Sequence, residues 1–120
     1  MKILGVDFDF SFTNGDNVKK FEDNYEKVLE KTSSFTGEGK LSTILLETCE
    51  VIDEFFDKVF GEGTSKKLFK NNDLKYRIQA FKEMKEARDK QEKEYNELIN
   101  TFNIEMQNVD SKYSSDRAKR

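Results

Sequence analysis

The chain of 120 residues has no histidine, no tryptophan and no proline, and only one cysteine. Without histidine, Cys-His and Ser-His catalysis and zinc sites of the usual Cys/His kind are excluded. One cysteine cannot form an internal disulfide, which suits a reducing compartment. Cys49 also falls on an apolar helical face, where burial makes a thiol less ionised and less reactive. Without proline, nothing forces a break in a long helix. All six glycines lie in the first 63 residues, so the second half has no glycine punctuation either. No apolar run approaches the length of a membrane span, and the start lacks the basic-then-apolar order of a signal peptide. The expectation is a cytoplasmic protein.

What the chain has is phenylalanine and charge. There are 11 Phe, and 38% of the residues are charged against 35% hydrophobic. That balance predicts one modest core with a solvated appendage. The charge is uneven: residues 1–60 carry thirteen carboxylates against seven lysines, and 61–120 carry eleven carboxylates against fourteen basic groups. A mildly acidic whole argues against non-specific nucleic-acid binding.

The strongest organising signal runs from Cys49 to Phe69. Leu41, Ile44, Leu45, Thr48, Cys49, Ile52, Phe55, Phe56, Val59 and Phe60 recur at three- and four-residue spacing and predict a central helix. Gly61 stops it, and Gly61-Glu62-Gly63 turns the chain. Thr64 or Ser65 then caps a short helix that returns Leu68 and Phe69 to the core. Glu47, Glu50, Asp53, Glu54 and Asp57 fill the opposite face, read as solvated and open to a basic partner.

Ahead of this element, Val6, Phe8, Phe10 and Phe12 alternate with Asp7, Asp9 and Ser11, the period-two pattern of a strand. A tight hairpin turning at Leu4-Gly5 fits it, packed on the helices. Asp7 and Asp9 fall on the solvated face, with no neighbour to shift their protonation for catalysis. Thr13, Asn14 or Asp16 caps a first helix with Val18, Phe21, Tyr25, Val28 and Leu29 on one face, ending near Thr32. Thr32 to Lys40 reads as a connector. Its Gly37-Glu38-Gly39 lacks the ending of a phosphate loop, and the Asn14–Asn17 region lacks the ligand pattern of a calcium loop.

After a break at residues 70–73, with Asn72 or Asp73 as cap, Leu74, Ile78, Phe81 and Met84 predict three core-facing turns. An almost wholly charged stretch from Lys85 follows, supported by i,i+4 pairs such as Glu86–Lys90 and Asp89–Lys93. Apolar spacing then resumes at Tyr95, Leu98, Ile99, Phe102 and Met106, in one long helix or two. Five unsheathed apolar residues call for a partner or a second copy. The expected organisation is mainly α: a compact domain with an N-terminal β-hairpin over 1–84, a charged and amphipathic helical extension over 85–109, and a flexible basic tail over 110–120.

Three stretches resemble a known family. Phe55-Phe56-Asp57-Lys58-Val59-Phe60-Gly61-Glu62-Gly63-Thr64 with Leu68-Phe69 is similar to small tail assembly chaperone-like proteins encoded by phages and prophages of Gram-positive bacteria. The opening Met1-Lys2-Ile3-Leu4-Gly5-Val6-Asp7-Phe8-Asp9-Phe10 is similar to theirs. So is the basic end from Lys112 to Arg120, which departs from the family pattern at Ser115 and Asp116. The resemblance implies a non-catalytic protein in the cytoplasm of the bacterial host, absent from the finished virion. It would bind the tape measure protein or nascent tail parts, without cofactor or metal. Phe55, Phe60, Phe69, Leu98, Ile99 and Phe102 are the candidate partner-binding residues, with Phe60 and Phe69 the first expected to be exposed. The alternatives are a structural tail component retained in the virion and a small regulatory protein binding nucleic acid through its tail.

Overall fold

A computed structural model describes residues 1–34 and 38–118, with side chains as far as residue 109. In chain order the elements are β1 (Lys2–Ile3), β2 (Val6–Asp7), α1 (Gly15–Ser33), α2 (Leu41–Phe60), α3 (Thr64–Leu68) and α4 (Leu74–Ala118). The fold is mainly α with a small antiparallel hairpin, as the periodicities predict.

The hairpin pairs Lys2 with Asp7 and Ile3 with Val6. Leu4 and Gly5 both have positive φ, +48° and +79°, the geometry of a two-residue turn whose twist matches its strands. Pairing then narrows to a reciprocal clasp between Met1 and Phe8: the Phe8 N–H donates to the Met1 carbonyl at 2.7 Å, and the terminal ammonium donates to the Phe8 carbonyl at 3.1 Å. The segment from Asp9 to Ser11 has no strand partner, and Phe12 and Thr13 turn the chain into α1, with Asn14 N–H donating to the Ser11 carbonyl at 3.3 Å. The alternation persists in burial, with Phe10 in the core and Asp7 and Asp9 in solvent.

α4 supplies partners for this segment's unpaired backbone. Leu4 N–H donates to Glu83 Oε2 at 3.3 Å, and Phe12 N–H donates to Gln91 Oε1 at 2.7 Å. These two side chains fasten the first twelve residues along the long helix, satisfying donors that would otherwise be left without a partner.

α1 starts at Asn14, whose Oδ1 accepts from the N–H groups of Asp16 and Asn17. It packs antiparallel on α2. α2 ends at Gly61 with φ 117° and ψ 152°, a region open almost only to glycine. The α3 cap comes from neither Thr64 nor Ser65. Asp57, on the face of α2 read as solvated, accepts from Ser65 N–H at 2.8 Å and from Ser65 Oγ at 2.9 Å.

The core is a phenylalanine cluster. Phe8, Phe10, Phe12, Phe21, Phe55, Phe56, Phe60, Phe69 and Phe81 form a continuous set of ring contacts, with centroids 4.8–5.8 Å apart and mostly tilted or edge-on. Ile3, Ile52, Val59, Leu68, Ala80 and Met84 complete it. Phe102 is outside the cluster, and Phe35 is outside the described residues.

α4 crosses both expected boundaries, at 84/85 and at 109/110, as a single helix to Ala118. With no glycine or proline after residue 63, no backbone feature stops it earlier. The segment expected as a flexible tail is therefore helical as far as Ala118. The expected pairs Glu86–Lys90 and Asp89–Lys93 are not within ion-pair distance, and in that stretch Arg88 pairs with Asp89 at 3.5 Å. The helix makes the molecule 79 Å long against 30 and 20 Å across.

Candidate interaction surface

The first half of α4 is seated by a buried cation that periodicity alone does not bring out. Arg77 follows Leu74 by three residues, on the face that also carries Phe81 and Met84. It is almost fully buried. Its guanidinium donates from Nε and Nη2 to the Asp53 carboxylate at 2.7 and 3.0 Å, and from Nη1 to the carbonyls of Asn71 and Asp73 at 2.8 and 3.1 Å. It also stacks on the Phe69 ring, 4.6 Å from the centroid. One side chain thus ties α2, the 70–73 turn and the start of α4 together. Ile78, expected in the core, lies a quarter turn away and is exposed. Arg77 and Ala80 take the inward positions instead, and Ala80 lets the helices approach closely.

Cys49 lies beside this junction, its Sγ 3.5 Å from the Asn72 carbonyl. Burial pushes its thiol above the ordinary value. Among the described residues no group of three or more His, Cys, Asp or Glu side chains could hold a metal ion. No helix there is long and apolar enough to cross a membrane.

The six candidate partner residues divide into two sets. Phe55 is 2% exposed and Phe69 is 7% exposed, both locked in the aromatic cluster. Phe60 is half-buried, covered by Phe8 and Phe10. Phe21 and Phe81 cover Phe55, Phe8 and Phe10 cover Phe60, and the Arg77 guanidinium lies over Phe69, coverage that spacing along the chain does not reveal. Phe55, Phe60 and Phe69 are therefore corrected to core and core-edge residues. Leu98, Ile99 and Phe102 are on the surface, with Leu98 58% and Phe102 59% exposed. Tyr95, Met106 and Val109 are exposed beside them.

These six α4 residues form one stripe. At 3.6 residues per turn, Tyr95, Leu98, Ile99, Phe102, Met106 and Val109 point in the same direction as Arg77, Ala80, Met84, Arg88 and Gln91. The face that α4 presents to its own domain thus continues, still apolar, beyond the domain's edge. Ile104 is on the opposite side. Where the helix leaves the domain there is an open groove of about 670 Å³, lined by Phe12, Val18, Phe21, Arg88, Glu92 and Tyr95 among others. Arg88 lies over the Phe21 ring at its floor.

A family model covers this architecture from the hairpin turn onward. It matches residues 4–120 and is described as a family of unknown function (DUF6673). The chain belongs to that family. No curated protein matches it. No solved structure matches it. The DUF6673 match takes in the hairpin turn, the aromatic core and the whole of α4 together.

Proposed function

We propose that this protein is a non-catalytic binding protein that holds a helical client on the exposed stripe of α4. The observation that carries this reading is the stripe: six apolar side chains on one face of a helix projecting from a fully formed core. Amphipathic helices are recognised through apolar residues at such three- and four-residue spacing. The groove at the base of the stripe extends the same apolar surface onto α1.

The resemblance to tail assembly chaperone-like proteins gives the client an identity. In this proposal it is the phage tape measure protein, or another nascent tail component, held soluble in the host cytoplasm until assembly. A long apolar helical client needs a partner with exposed helical surface and an acidic body, and needs no catalytic group.

Co-expression with the tape measure protein of the same genome tests the proposal. Expected are a higher soluble yield of the client and its co-purification, both lost with the double variant Leu98→Asp/Phe102→Asp. A client whose solubility is the same with and without this protein ends the chaperone reading. Recovery of the protein from purified particles moves the assignment to a structural tail component.

A further inference from the structure

We infer that, without a client, the α4 stripe is covered by the same stripe of a second copy, with the two helices antiparallel. The inference concerns self-association and holds whatever the client is.

Direction follows from where the domain sits. The compact domain packs on the same face of α4 that carries the stripe farther along. Two parallel helices paired through this face would drive both domains into one seam at the same level. Antiparallel helices place the domains at opposite ends of the pair, and each stripe lies along the other.

The area suffices. Half-exposed side chains of this size each offer on the order of 100 Å². Six of them give roughly 600 Å² per copy and about 1,200 Å² for the pair, the lower bound for a stable specific interface. A pair at that bound forms reversibly and is open to displacement by a helical client.

Sedimentation of the full chain over a concentration series, with distances between nitroxides attached at Lys93→Cys or at Asn103→Cys, tests the inference. Both sites are exposed, whereas Cys49 is buried. The expected result is a reversible dimer with a short distance between the two labels at 103. The distance between the labels at 93 is expected to be longer by roughly 20 Å, because residue 93 is nine residues of helix rise from the pairing centre at Phe102 on each copy and residue 103 only one. Leu98→Asp/Phe102→Asp is expected to weaken the dimer by roughly 100-fold and to keep the helical circular dichroism of the wild type. A monomer throughout the micromolar range overturns the inference. So do equal distances at both sites, the signature of parallel helices, and a dimer that the double variant leaves intact. A dimer whose client is unaffected leaves self-association standing and ends only the chaperone reading.

Discussion

The Arg77 guanidinium is paired bidentately with the Asp53 carboxylate, 2.7 Å from Nε and 3.0 Å from Nη2, with Arg77 only 3% exposed in its side chain and Asp53 29%. The pair clamps α4 to α2, and the remaining Arg77 donors close the 70–73 turn. Removing the carboxylate charge leaves a cation with no counter-charge in the interior. Asp53→Asn is therefore expected to destabilise by about 3 kcal/mol, the range for breaking one side of a buried pair. Arg77→Met should cost a similar amount, because it leaves the Asn71 and Asp73 carbonyls without their donor. The double variant should cost clearly less than the two single variants added together. Additive losses in a denaturant-unfolding cycle would show that the pair does not act as a unit.

Phenylalanines separate sharply by position. Phe56 is fully buried among four other rings, while Phe102 stands in solvent. Phe56→Ala is expected to cost about 3–5 kcal/mol through lost burial and an unfilled cavity. Phe102→Ala in a variant kept monomeric should change stability by less than about 0.5 kcal/mol. Thermal unfolding of the two variants reads the contrast directly. A large loss at Phe102 in the monomer would mean that the stripe already packs within its own chain.

The contrast also shows what periodicity makes legible. Spacing alone places the central helix at Leu41–Phe60, the hairpin turn at Leu4-Gly5, and Leu98, Ile99 and Phe102 on one helical face. It misassigns Phe60 and Phe69, because which helix surface another segment covers is a tertiary matter. It places Leu41 on the central stripe, although α2 begins beyond the core and Leu41 is 69% exposed. Arg77, Asp53 and Asp57 are harder to read, since charged residues on a helix are taken as solvated. The available signal was Arg77 itself, a charged residue in phase with Leu74, Phe81 and Met84. The continuity of the stripe with the seated half of α4 needed the structure, because a charged stretch divides the two in sequence.

Glu54 gives a modest dependence on pH. The Lys31 hydrogen bond at 2.8 Å, joined by Lys58 at 3.4 Å, holds its carboxyl below the ordinary value of 4.5. A carboxylate whose folded value is depressed contributes its stability fully above the unfolded value. That contribution fades as pH falls through the folded value. The side chain is 42% exposed, so screening keeps the effect to a few tenths of a kcal/mol. Glu54→Gln should therefore lower the unfolding midpoint slightly at pH 7, with the difference fading as pH falls below the ordinary carboxylate range. A difference that grows on acidification would contradict this assignment.

The turn between α2 and α3 depends on two glycines. Gly61 and Gly63 have φ of +117° and +87°, and a Cβ added at either meets nothing within 4 Å. Any loss on substitution is therefore backbone strain and not a clash. Gly63→Ala, in the ordinary left-handed region, is expected to cost about 1–2 kcal/mol. Gly61→Ala should cost more, up to about 3 kcal/mol, because its ψ of 152° places it where side chains are scarcely tolerated. Paired urea titrations rank the two. Equal costs would mean that the turn relaxes at Gly61 to relieve the strain.

Hydrogen exchange along α4 isolates the exposed stripe most directly. From Leu74 to Gln91 the helix lies against the aromatic core and the N-terminal segment, so its amides should open only with the domain. From Asn96 to Val109 the backbone bonds are the same, but every one of these side chains is exposed, so in a single copy little holds this stretch of helix closed. In the Leu98→Asp/Phe102→Asp variant, peptides from 95–109 are expected to exchange orders of magnitude faster than peptides from 74–91. In the wild type, protection of 95–109 should rise with protein concentration, and rise again when a client helix is added. Uniform protection along α4 in the variant would show that the extension is held by its own chain, and the stripe would then have no free face to offer.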